Sequence, residues 1–139
     1  MLVHLFYPDE TLKQRLPGGP PELGGYIRSL QDWMAEHRGV FDADAIGGRA
    51  IVVAVAPGGR ARGWDVRESG VGDPEADRLL AAAVRRGVPR VEHGPIAFAL
   101  HYSTPKPERD WNFGPADWVQ AAESALGVPD LDAVLESLL

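Results

Sequence analysis

The chain has 139 residues, a formal net charge of −6, 45% hydrophobic and 24% charged residues, and no cysteine. That describes about one domain of ordinary globular composition, which excludes a disordered or fibrous chain, a disulfide framework, a thiol nucleophile and a cysteine zinc site. The longest uncharged apolar run, Ala50 to Pro57, is too short to span a bilayer, and Met1-Leu2-Val3-His4-Leu5-Phe6 lacks the basic start of a secretory signal, so a cytoplasmic protein is expected.

Leu2 to Tyr7 can form a short strand, ended by Pro8, which cannot donate to a ladder. Leu16 to Gly25 reads Leu-Pro-Gly-Gly-Pro-Pro-Glu-Leu-Gly-Gly and is predicted to be a surface loop, so that residues 1–25 form an N-terminal arm. From Gly25 to Arg38 the apolar positions Tyr26, Ile27, Leu30, Trp33 and Met34 have the spacing of one helix face, closed by Gly39. Arg49 to Pro57 is rich in β-branched residues. It meets a second extended run across Gly58-Gly59, and positive-φ residues at that point are the mark of a hairpin. In the second run Trp64 and Val66 alternate with Asp65 and Arg67, which predicts one buried face and one wet face.

The next segment is a well-specified helix. Asp73 caps it, Pro74 takes the first position, and Glu75 and Asp77 suit the positive N-terminal end. Ala76, Leu79, Leu80, Ala83 and Val84 share a face, and Gly87 and Pro89 stop it. Pro95 to Ser103 returns to strand, with Ile96, Phe98, Leu100 and Tyr102 on one side and Ala97, Ala99, His101 and Ser103 on the other. A polar loop from Thr104 to Asp110 leads to helices expected over Pro115–Leu126 and Pro129–Leu139. The reading is therefore a single α+β domain over 1–139. Its 26–103 core carries a small antiparallel sheet (hairpin, helix, strand) with helices packed on one face, and 104–139 is an acidic helical tail.

Charge is unevenly spread. Between Arg49 and Arg90 there are eight Arg against five acids, whereas from Asp110 onward there are six acids and no Lys or Arg. Such asymmetry steers partners, or lets the tail lie beside the basic middle of the same molecule. The overall acidity disfavours nucleic acid as a partner.

The series Ile51–Val55, Pro57-Gly58-Gly59-Arg60, Val66-x-x-Ser69-Gly70, Pro74–Val84, Val88-Pro89 and Ile96-x-Phe98-x-Leu100 resembles the C-terminal domain of TonB and its relatives. The likeness covers about residues 49–103. It implies a ββαβ core and, as a mode of action, the pairing of an edge strand with a segment of another protein. This chain shows no counterpart of that family's membrane helix or long Pro-rich spacer, so the resemblance does not extend to energy transduction.

Chemistry is sparse. His4, His37, His93 and His101 form no HxH or HxxxH pair, so no metal or cofactor is expected. Asp42, Asp44, Asp73, Glu75 and Asp77 are accounted for by a loop and a helix start. Gly47-Gly48-Arg49 and Gly58-Gly59-Arg60 lack the Lys-Ser/Thr of a phosphate loop, and Ser69, Ser103, Ser124 and Ser137 lack a GxSxG setting. No catalytic residue is assigned; an ordered metal or a buried cluster of ionisable side chains is the observation that would overturn that expectation. The expected function is non-catalytic protein binding, for instance by a small bacterial immunity or adaptor protein, through a sheet edge or through the acidic helical surface. Trp111 and Phe113 would anchor the partner and Asp117, Asp130, Asp132 and Glu136 would steer its basic surface. The rivals are a small-ligand binder or enzyme using His93 or His101 as base, and a scaffold that dimerises through its edge strands.

Overall fold

The computed structural model describes residues 2–41, 49–67, 73–101 and 131–139. The elements follow in the order β1 (Leu2–Leu5), α1 (Asp9–Arg15), α2 (Gly19–Glu36), β2 (Arg49–Ala56), β3 (Arg60–Arg67), α3 (Pro74–Ala83), β4 (Ile96–His101) and α4 (Leu131–Leu138). The strands form one antiparallel sheet in the order β1-β4-β2-β3. This is the α+β class expected, with the N-terminal strand added as an edge.

The hairpin is where the sequence puts it. Arg49 pairs with Arg67 and Ala56 with Arg60, and Gly58 and Gly59 turn the chain at φ of 87° and 77°. Every residue of β2 is buried, as befits a central strand covered on both sides. Its Ile51, Val53 and Val55 join Ile96, Phe98 and Leu100 of β4 on one face, under α1, α2 and α3. Val52, Ala54, Ala97 and Ala99 line the other face with Trp64. There the structure adds something to the expected one-sided layout, because Leu135 of α4 is fully buried on that second face.

Two local expectations are overturned. The stretch from Gly19 to Gly25 is not loop but the first two turns of α2. Pro20 and Pro21 fall in the opening turn, where the missing amide hydrogen has no partner to lose. The helical cost of Gly24 and Gly25, about 1 kcal/mol each, is offset by burying Leu23, Tyr26, Leu30 and Met34. The residues before them are no free arm either: β1 pairs with β4, and Leu12 and Leu16 are buried. The second correction concerns Asp65. It is not on a wet face but is buried under α3.

α3 behaves as its sequence signals dictate. The Asp73 carboxylate accepts the Glu75 amide hydrogen at 3.0 Å, and Ala76, Leu80, Ala83 and Val84 are buried, with Leu79 half-buried. The helix lies close on β3, since a Cβ on Gly63 would sit 3.0 Å from Val84 Cγ1 and 3.3 Å from Leu80 Cβ.

Candidate functional site

Among the described residues β1 and β3 are the outer strands of the sheet, the places where backbone groups lack a ladder partner, and the hydrogen-bond phase says which residues of β1 turn theirs outward. Phe6 donates its amide hydrogen to the Ala97 carbonyl at 3.2 Å. Alternation along the antiparallel register then turns the amide and carbonyl of His4 toward Ala99 of β4, and those of Val3 and Leu5 outward. Val3 stands opposite Leu100 and Leu5 opposite Phe98, so both side chains lie on the face occupied by α1 to α3. They are 37% and 39% exposed, the large apolar side chains left most open among the described residues. His4, on the opposite face, meets Phe6 edge-on at 4.9 Å and His101 at 6.5 Å. The first eight residues carry no Asp, Glu, Lys or Arg. The strand thus lacks the charges with which edges are usually guarded.

The other edge is built differently. On β3 the Asp65 amide hydrogen goes to Asp77 Oδ1 of α3 at 2.8 Å, and Arg60, Arg62, Asp65 and Arg67 place charge along the strand. The Arg62 guanidinium lies 4.9 Å from the Trp64 ring, and Trp64 itself is core, 5% exposed.

Beneath that edge lies an ionisable cluster that the sequence did not announce. Asp65 Oδ1 accepts from Arg49 Nε at 2.9 Å, while Oδ2 accepts from Arg67 Nε at 3.2 Å and from the Asp73 backbone at 3.0 Å. Both side chains of the Arg49–Asp65 pair are almost wholly buried. The Asp65 oxygens are committed to these donors, and what the arrangement accomplishes is to fasten β2, β3 and the start of α3 together.

Of the candidate partner-binding residues, Trp111, Phe113, Asp117 and Asp130 lie outside the described residues, as do Asp42 and Asp44. Asp132 is engaged within the chain. It accepts from both terminal nitrogens of Arg15, at 2.9 and 2.8 Å, and from the Tyr7 hydroxyl at 2.6 Å. The hydrogen bond from Arg15, with Tyr7 helping, holds its carboxyl below the ordinary 3.8 despite partial burial. Burial first, then the same carboxylate, pushes the Tyr7 hydroxyl up. Its charge is therefore not free to steer a partner, whereas Glu136 is exposed.

The histidines do not assemble. His37 Nδ1 lies 2.8 Å from the Trp33 carbonyl oxygen, and its ring stacks on the Trp33 indole at 4.5 Å. His101 is 3% exposed, and burial, with His4 adding, keeps its imidazole below the usual 6.5. His93 is exposed at φ of 69°, a conformation non-glycine residues seldom adopt. It lines an open cleft of about 670 Å³ with Glu22, the Pro57–Gly59 turn, Arg90 and Glu92. All three of those charges are already engaged, since Glu22 accepts the Arg90 amide hydrogen and Glu92 pairs with the Arg90 guanidinium at 2.8 Å. Among the described residues, no group of three or more His, Asp or Glu is placed to hold a metal, and no helix is long and apolar enough to cross a membrane.

Comparison with protein-family models, with curated proteins and with solved structures gave no match.

Proposed function

We propose that this chain is a non-catalytic protein-binding module whose working element is the outer edge of β1. The observation that carries the reading is the outward-turned backbone of Val3 and Leu5, set between exposed apolar side chains on a strand without charge. An extended segment laid along β1 would satisfy those amides and carbonyls and cover both side chains. A small bacterial immunity or adaptor protein is one form it would take; the resemblance to the TonB C-terminal domain covers residues 49–103 and does not reach β1. The acidic helical surface is the weaker element of the two, because Asp132 is spoken for by Arg15 and Tyr7.

Selection of random decapeptides on a display library tests this directly. Enriched peptides should alternate apolar residues and should lose binding to a Val3→Pro variant while keeping it to Val3→Ala. Proline removes only an outward amide hydrogen and is tolerated at an edge position. Peptides that bind Val3→Pro as well as the parent chain would overturn the edge as the binding element.

A second reading has one observation in its favour, the positive-φ backbone of His93 beside the cleft. Backbone strain of this kind gathers at ligand sites. A thermal-shift screen with small metabolites tests it: stabilisation that is lost in His93→Ala would favour a small-ligand binder.

A further inference from the structure

The pattern on β1 is its own complement. Two copies placed antiparallel about a two-fold axis through His4 bring Val3 of one opposite Leu5 of the other, twice over. In that register both residues of each pair have their amide and carbonyl turned toward the partner strand, because Val3 and Leu5 face outward together. His4 meets its symmetry mate in the intervening non-hydrogen-bonded position. On the helix face Val3 and Leu5, 37% and 39% exposed, then pack on their counterparts. A centre at Leu5 would instead run the pairing into Tyr7 and Pro8, beyond the end of β1.

Resting on the reading of β1 as a strand-pairing edge, we propose that its partner is β1 of a second copy, joining two four-stranded sheets into one continuous sheet. Charge favours this occupant. The whole chain is at −6, and yet the first eight residues carry no Asp, Glu, Lys or Arg, so two copies meet there without opposing acidic or basic side chains of those types. A partner selected for basic character would find nothing on β1 to pair with. Area sets the strength. A stable interface clears about 1,000 Å², whereas a strand of four residues offers only about 13 Å of pairing length. The dimer is therefore reversible and concentration-dependent, and added salt strengthens it by screening the repulsion between two −6 chains. Docking between an acidic and a basic surface shows the opposite salt response.

The absence of cysteine in the sequence makes the register testable. In His4→Cys the two sulfurs fall across the axis in a non-hydrogen-bonded pair, with Cα atoms roughly 4.5 Å apart, inside the range a disulfide spans. In Val3→Cys the symmetry-related Cα atoms are roughly 9 Å apart by strand geometry, too far to bridge. Mild oxidation should therefore link His4→Cys into covalent dimers and leave Val3→Cys unlinked, with circular dichroism confirming that both variants fold. Sedimentation of the unmodified chain should show mass rising from 15.0 kDa toward the dimer as concentration and salt increase. Val3→Pro should weaken that association by about tenfold or more.

Equal cross-linking of both cysteine variants would overturn the register. A chain that stays monomeric at all concentrations, with His4→Cys unlinked, would overturn self-pairing. Peptides that still bind β1 in that case would leave the edge reading standing, and peptides indifferent to Val3→Pro would remove both.

Discussion

The Asp132 carboxylate accepts from donors brought by α1 and by the link between β1 and α1, so one side chain of α4 closes the far end of the chain onto its beginning. Arg15 is held further by donating to the Pro95 carbonyl at 2.7 Å, and its guanidinium lies 4.9 Å from the Tyr7 ring. Gly94 is part of the same arrangement. A Cβ there would come within 2.8 Å of Arg15 Cζ, at a φ of 147° that side chains resist. Gly94→Ala is expected to cost about 2 kcal/mol by displacing Arg15 and straining the backbone, read by urea denaturation. Asp132→Asn should cost less, about 1 kcal/mol at neutral pH, because the carboxylate is more than a third exposed and partly screened. The sign of the pH dependence follows from the depressed carboxyl. Its contribution is complete above the ordinary 3.8 and is lost as pH falls from there through the lower value of the folded state. Parent and Asp132→Asn stabilities should therefore converge as pH is lowered from 3.8, and a gap that does not shrink over that descent would mean that the ionised carboxylate is not what Asp132 contributes.

At the scale of elements, what was legible in the sequence is what local chemistry alone decides. The Gly58-Gly59 turn and the Asp73-Pro74 start of α3 depend on a few neighbouring residues, and they stand where the pattern puts them. The start of α2 was hidden because a Pro-Pro pair signals a break inside a helix and an entry at its first turn, and only the packing of Leu23 distinguishes the two. Alternation along β3 showed that Trp64 and Asp65 point opposite ways, but it cannot say that both faces are covered. That missing fact is why the Arg49–Asp65 pair came from the structure alone. Removing one member of a buried pair leaves a poorly compensated charge, so Asp65→Asn should destabilise by about 3–5 kcal/mol. Combining it with Arg49→Met should recover part of that loss, because the buried cation goes and the amide oxygen can still accept from the Asp73 backbone. Additive losses in the two variants, measured by chemical denaturation, would show that the residues act independently. The edge phase of β1 was equally invisible in sequence, since it depends on register against a strand more than ninety residues away.

Across the whole molecule, the size alternation of β4 decides how its two faces are roofed. Ile96, Phe98 and Leu100 are large and interlock with residues of α1 to α3, while Ala97 and Ala99 leave a low floor with Val52 and Ala54 on the other side. A low floor lets a helix approach closely, and Leu135 fills the space with no measurable exposure. The alternation itself could be read from the sequence. Which helix would use the small side could not, because Leu135 is distant in the chain and several leucines of the C-terminal segment are interchangeable by pattern. Truncating a leucine that fully buried costs about 2–5 kcal/mol, depending on how far the site collapses. Ala54, Ala97 and Ala99 cannot reach into the vacated space, while Trp64, Phe6 and Leu138 around it can relax toward it, so Leu135→Ala belongs near the middle of that range. Its effect should also be local first. Amide exchange should accelerate in α4 before it does in the β2–β4 ladder, whose other face keeps its cover of α1 to α3. If β2 and β4 lose protection together with α4, the second face is integral to the sheet's stability, and α4 does not act as a separable cover.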